Sequence, residues 1–255
     1  RQSFDNQPTL LAGGEGLYGG EGFDEESSYD GGFSSTTSAS FSVDMAIGAV
    51  ESNAVTEAVT AVYGYQMDLT TSFTGEDSLA VAIDAGSLQA SLGELDLNNT
   101  DDVLTVDGVT YTFPVGEKIS VLVGDSTSGS ALFSTACVYG GFTNTLDDCG
   151  NAATAITATG HGSVADGTVG FSASYDIGNG FSGAIGYNGD GSTADGLMTE
   201  EGVDFYAAQL TYTADNYGAS VTYGNFDVAT GWGLNGYYTF ASNLPSVSVG
   251  YEFGS

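Results

Sequence analysis

Along residues 245–253 the chain reads Pro-Ser-Val-Ser-Val-Gly-Tyr-Glu-Phe, an unbroken alternation of apolar and small or polar residues. Successive side chains of a β-strand point to opposite sheet faces. Val247, Val249, Tyr251 and Phe253 therefore share one face, and Ser246, Ser248, Gly250 and Glu252 the other. The same period sets Ala39, Phe41, Val43, Met45, Ile47 and Ala49 against Ser40, Ser42, Asp44, Ala46 and Gly48. Over 59–73 it sets Val59, Ala61, Tyr63, Tyr65, Met67, Leu69 and Phe73 against Thr60, Gly64, Gln66, Asp68, Thr70 and Ser72. Thr74-Gly75-Glu76-Asp77 then turns the chain into Leu79, Val81, Ile83 and Ala85, which leaves Asp84 in the polar phase.

Tyr111–Phe113 and Ile119–Val123 read as strands joined through Pro114-Val115-Gly116-Glu117. From residue 168 onward, runs led by Val169, Phe181, Tyr206, Ala219, Leu234 and Val247 follow one another across short links. Eleven strands are predicted, antiparallel because the links are short, and no stretch carries the spacing of an amphipathic helix. Residues 1–34, rich in Gly, Glu, Ser and Asp, read as a flexible acidic linker or plug; 35–255 read as the folded part, with 86–165 made of long loops and short strands.

Composition narrows the choice of solvent. The chain has 33 Asp and Glu against two Lys and Arg, a formal charge of −31, which excludes nucleic acid as a partner. Aromatic residues make up 12 % and mean hydropathy is +0.02, so this is no disordered acidic tail. No run approaches the ~20 apolar residues of a membrane-spanning helix, but a barrel strand spans with about 9 to 11 alternating residues. The polar faces carry Ser, Thr, Gly and Asn where a soluble sheet would carry Lys, Arg and Glu. That choice suits a barrel with water inside and lipid outside. The fold class expected is all-β, an antiparallel transmembrane β-barrel, closed or incomplete within this chain. Tyr217, Trp232, Tyr237 and Tyr238 are candidates for an interfacial aromatic girdle, or for core.

In this frame Asp44, Asp68, Asp84, Lys118 and Glu252 are candidate pore-lining residues. Carboxylates with almost no opposing base favour cations; the competing reading is strand faces that are merely solvated. Cys137 and Cys149 flank an 11-residue segment, too few thiols for a closed zinc site, and read as a disulfide formed in an oxidising compartment; two unpaired thiols are the alternative. Asp147 and Asp148, between them, are candidates for a loop that constricts the pore.

Two hairpins carry a resemblance. Leu69-Thr70-Thr71-Ser72-Phe73-Thr74-Gly75-Glu76-Asp77 and Tyr111-Thr112-Phe113-Pro114-Val115-Gly116-Glu117-Lys118-Ile119-Ser120-Val121-Leu122-Val123-Gly124 are similar to segments of the cyanobacterial outer-membrane porins, from about residue 35 to the end. The resemblance implies an outer-membrane channel for passive diffusion of ions and small solutes, with a lipid bilayer as surroundings, and a homotrimer. The family's S-layer-homology domain and coiled coil do not occur in these 255 residues, and its lumenal arginines are lacking. A fragment or a smaller barrel is expected. The alternative function is an acidic β-rich surface or filament protein.

No enzyme and no cofactor are expected. Both matches to G-x-G-x-x-G, at 14–19 and 178–183, lack the strand-then-helix setting of a nucleotide site. Asn188, Asp190, Ser192 and Asp195 resemble a calcium loop, but Thr193 stands where glycine is needed. His161, the sole histidine, sits between glycines with no nucleophile motif.

Overall fold

The computed structural model describes residues 37–254 apart from 50, 52–57, 89–94, 96, 135, 137–168, 190, 192–195, 201, 203, 227–228 and 242–243. The strands are β1 (Thr37–Gly48), β2 (Thr60–Thr71), β3 (Ser78–Gly86), β4 (Thr105–Val115), β5 (Ile119–Asp125) and β6 (Val169–Gly178). They continue with β7 (Phe181–Gly189), β8 (Asp204–Thr213), β9 (Tyr217–Phe226), β10 (Ala229–Tyr238) and β11 (Val247–Gly254). Each pairs antiparallel with the next, so the eleven form one sheet in sequence order, from β1 at one edge to β11 at the other. The fold class is all-β and antiparallel. Among the described residues no ladder joins β1 to β11.

Registers keep the two phases apart across the whole sheet. Phe41, Val43 and Met45 oppose Met67, Tyr65 and Tyr63, while Ser42 and Asp44 oppose Gln66 and Gly64. At the far edge Trp232 and Leu234 oppose Phe253 and Tyr251, and Gly233 and Asn235 oppose Glu252 and Gly250. One interruption occurs between Ala82 and Ile83, where Asp107 is the extra residue of a bulge: Ala82 pairs with Gly108 and Ile83 with Val106. The bulge moves Val106 onto the apolar face although it lies an odd number of residues from Val109.

The polar face is the buried one. Ser172 and Thr222 are 0 % exposed, Thr211 2 % and Gln209 6 %, whereas Met45 is 76 %, Val249 67 % and Tyr251 64 % exposed. A water-soluble sheet buries the other set. The apolar face ends in aromatic clusters. Near one rim Tyr111 stacks with Phe113 at 5.5 Å between centroids, Phe181 meets Tyr212 at 4.8 Å, and Tyr212 meets Tyr217 at 5.9 Å. Near the other, Tyr223 meets Trp232 at 4.9 Å.

The rims differ in their connections. One carries the segments 49–59, 87–104, 126–168, 190–203 and 227–228; the other carries 72–77, 116–118, 179–180, 214–216 and 239–246. Asn179 and Gly180, at φ 55° and 83°, make a two-residue turn whose twist matches the strands, so the second G-x-G-x-x-G match is a β-hairpin. The turn 72–77 is closed by one carboxylate. Asp77 Oδ1 accepts from Ser72 Oγ (2.8 Å), Phe73 N (2.9 Å), Thr74 N (2.7 Å) and Thr74 Oγ1 (2.7 Å). Its Oδ2 accepts from Tyr111 Oη on β4 at 2.6 Å. The Tyr111 hydroxyl, helped by the Thr74 and Ser72 donors and opposed by burial, holds the Asp77 carboxyl below its ordinary range.

Because the Asp77 pKa is depressed in the folded state, its contribution to stability is complete above the unfolded carboxylate pKa of about 3.9 and declines as pH falls below it. Asp77→Asn should therefore lower the urea midpoint of unfolding from lipid vesicles at pH 7, by an amount that shrinks below about pH 4. For the apolar face, Leu210→Arg should cost about 2–4 kcal/mol in the same assay if the strand centre meets hydrocarbon; a loss below about 1 kcal/mol, the value near the bilayer interfaces, would place Leu210 outside it.

Candidate functional site

The buried face is an inner wall of hydroxyls and amides joined to one another. Gln209 Nε2 donates to Thr222 Oγ1 at 2.9 Å and Thr211 Oγ1 to Gln209 Oε1 at 3.1 Å, linking β8 and β9. Burial demands partners for such groups, and the chain supplies more from a segment that leaves β5 and crosses the wall. Gly129 N donates to Asn188 Oδ1 (2.5 Å), Asn188 Nδ2 to Thr127 O (2.7 Å), Leu132 N to Ser172 Oγ (3.3 Å) and Ala136 N to Ser220 Oγ (3.2 Å). Phe133 packs on Phe205, Ala207 and Ala229, which occupy inward positions of β8 and β10. Thus 126–136 folds inward across β6 to β10. Its seat depends on glycine: a Cβ at Gly186 would lie 1.9 Å from Gly129 O.

A second, smaller inward fold follows β3. Asn98 Nδ2 donates to Tyr65 O at 3.0 Å, Gly86 N to Thr100 Oγ1 at 3.0 Å, and a Cβ at Gly86 would lie 2.0 Å from Asn98 O. This covers the upper inner face of β2 and β3.

Four of the five candidate pore-lining residues lie on inward strand positions. Asp44 is exposed on β1. Asp68, on β2, accepts from Gln66 Nε2 (3.0 Å) and Ser40 Oγ (3.3 Å). Asp84, on β3, is buried and accepts from Thr105 Oγ1 at 2.5 Å. Glu252, on β11, is half-buried opposite Gly233. Lys118 differs: it stands in the turn between β4 and β5, with Nζ 6.0 Å from the ring centroid of Tyr175. Tyr175 pairs with Ile119 in the apolar phase, so the ammonium sits at the outer rim. Counting the strand phase on through a turn put it inside. Tyr217, Trp232 and Tyr238 are exposed on the apolar face. Tyr237 is not: it faces inward over Gly218, whose Cβ would meet its ring at 2.6 Å. Adjacent residues of one strand cannot share a face. Cys137, Cys149, Asp147, Asp148 and His161 lie outside the described residues, as do Asp190, Ser192 and Asp195. Asn188 is described, and its amide is spent on the inward segment. Among the described residues no group of three or more His, Cys, Asp or Glu stands close enough to hold a metal ion.

One buried acid belongs to the other face. Asp204 accepts from Tyr187 Oη and, at 3.3 Å, from Met198 N, so the connection between β7 and β8 is fastened against the sheet's apolar side. Alternation alone does not reveal it, because the tie depends on where the loop lies.

No family model and no curated protein matches the chain. Among solved structures, a mutant of Rh. blastica porin in which a lysine and an arginine are replaced by alanine is similar at 9 % identity and TM-score 0.48, over 85 % of this chain and 72 % of that one. A second mutant of the same porin, with a tyrosine and a serine replaced by tryptophan, is similar at 10 % identity and TM-score 0.46 over the same shares. Neither score is high enough to carry fold or function across. The specific resemblance to cyanobacterial porins gains no support from these comparisons.

The inward segment makes its own prediction. Gly186→Val should unseat 126–136, so that the amides of Gly129 and Leu132 lose protection from hydrogen exchange while amides of β8 and β9 keep theirs. Unchanged protection at Gly129 would refute that seating.

Proposed function

We propose that the chain forms a passive, non-enzymatic channel of the outer membrane, through which ions and small hydrophilic solutes diffuse with a bias toward cations. The observation that carries this reading is the inversion of faces: hydroxyls and amides buried, Val, Ile, Met, Tyr and Phe exposed along strands of spanning length. Aromatic clusters at both rims support it, as does the sorting of the longest connections to one rim. The two hairpins similar to cyanobacterial porins end in tight turns at the other rim, which favours that kinship within the same reading. The partners are then the bilayer, the permeating ions and solutes, and further copies of the chain in a homotrimer.

The bias has a simple source. Asp44, Asp68 and Glu252 face inward, and Lys118, the only Lys or Arg among the described residues, lies in a turn at the outer rim. Carboxylates on the inner face set a negative field in the lumen. Purified protein in a planar bilayer should give discrete conductance steps and, at low salt, reversal potentials favouring cations. Asp44→Asn with Asp68→Asn should move those potentials toward zero. The preference should fade near 1 M salt, where the screening length is about 3 Å against about 8 Å at physiological strength. Silent bilayers together with solubility in the absence of detergent would overturn the reading.

A further inference from the structure

Burial divides the inner wall into two unequal parts. From β6 to β10 nearly every inward position away from the short-turn rim is buried: Ser172, Asn188, Ala207, Gln209, Thr222 and Asn235 among them. None of the buried inward positions on these strands carries an acid. On the remaining side Ser40, Ser42 and Asp44 of β1 are exposed, and Gln66 and Asp68 of β2 and Ser248 and Glu252 of β11 are half-buried. Toward the short-turn rim the openness is not confined to an edge strand, since Gln66 and Asp68 stand on β2, which has a hydrogen-bonded neighbour on each side; toward the other rim the inward Val62 and Gly64 of β2 are buried. The segment 126–136 accounts for the division, for the hydrogen bonds of Thr127, Gly129, Leu132 and Ala136 and the phenyl ring of Phe133 go to β6–β10.

We propose that water and ions pass along one side of the interior only, the side formed by β11, β1 and the parts of β2 and β3 nearer the short turns, and that the β6–β10 side is sealed by the inward segment. The inference rests on the channel reading and sharpens it. It separates the inward carboxylates by role. Asp44 and Asp68 stand on the open side, with the position opposite Asp44 on β2, Gly64, four residues from Asp68, or about 13 Å along the strand. Glu252 stands there also. Asp84 does not: it is buried and tied to Thr105, so it acts as a structural acceptor. An ion crossing the sealed side would meet no room, and the one inward acid on its described strands, Asp176, stands at the short-turn rim, where its carboxylate accepts from Gly178 N. On the open side it meets Asp68, whose hydrogen-bond donors Ser40 and Gln66 are neutral and leave its charge uncancelled.

Thiol accessibility tests the division without using current. In full-length chain carrying Cys137→Ser and Cys149→Ser, single cysteines are placed at Ser42 and Ser248 on the open side and at Ser172, Thr211 and Thr222 on the sealed side. Each protein, folded into phosphatidylcholine vesicles, is treated with a trimethylammonium methanethiosulfonate, and modification is followed by mass. The open-side thiols should react on the order of a hundredfold faster, since the others are reached only through local opening. Five near-isosteric sites guard against the failure of any one variant to fold. Comparable rates at Ser42→Cys and Thr222→Cys overturn the proposal. The contrast in rates with silent bilayers would instead overturn the channel reading, because labelling reports the shape of the interior and not conduction. As a second arm, Asp44→Asn should reduce cation preference and Asp84→Asn leave it unchanged; an equal loss from both would overturn the assignment of roles.

Discussion

In a hydrocarbon solvent every backbone N–H and C=O must be paired within the protein, and a sheet whose strands each pair with the next in sequence does so with local connections alone, save at its two outer edges. On the channel reading proposed above, that constraint governs the rest of this molecule. With the strands from β1 to β11 paired in one ladder, hydrocarbon surroundings would leave the two side-chain faces free to invert, since neither is then needed to drive collapse from water. The inner wall can then be built from Ser, Thr, Asn, Gln and Gly, which bond to one another and to a folded-in segment. The outer face can be built from Val, Ile, Tyr and Phe. The same sequence rule, a period of two, serves both.

Period two is also why so much of the fold could be read in advance. Alternation is indifferent to which side is wet, so strands and phases were legible from Val247–Phe253, from Phe41–Ile47 and from Tyr63–Leu69 without knowing the solvent. What failed to show did so for definite reasons. β4 begins at Thr105, not near Tyr111, because the bulge at Asp107 shifts the apolar phase from even to odd positions and erases the alternation across 103–110. The inward course of 126–136 follows no period at all. Its trace was in the partner strands: Gly170, Ser172, Gly186 and Asn188 put small residues and one amide on the inward phase of two adjacent strands, where backbone approaches closely. Lys118 stands in a turn, where the strand phase no longer applies, and Tyr237 and Tyr238, adjacent on β10, divide between the two faces.

A chain with 33 acids and two bases cannot neutralise its carboxylates with ion pairs, and the structure uses neutral donors instead. Asp77 takes hydroxyls and amides from its own turn and from Tyr111; Asp68 takes an amide and a serine; Asp84 takes a threonine; Asp204 takes a tyrosine and a backbone amide. Hydrogen bonds of this kind fix a carboxylate's direction without cancelling its charge. An arginine in the same place would do the first and undo the second. The scarcity of bases is therefore no mere matter of surface composition: it lets an acid on the open side, such as Asp68, be held by neutral donors and still act at a distance.

The ladder also states what its seam requires. Strand direction alternates along the meander, so β1 and β11, both odd in order, run the same way. Paired directly they would make a parallel seam in an otherwise antiparallel wall; an antiparallel seam needs a strand of opposite direction between them. A second copy of the chain inserted in the same sense, related by rotation about the membrane normal, cannot provide it, because its edges also point the same way. The two edges are nevertheless matched in phase. Phe41, Val43, Met45 and Ile47 on β1 and Val247, Val249, Tyr251 and Phe253 on β11 all face outward, and Ser42 and Asp44, Ser248 and Glu252 all face inward. Whatever strand or direct pairing completes the wall must therefore alternate in the same phase, and it would bring Glu252 and Asp44 onto neighbouring parts of one continuous acidic surface.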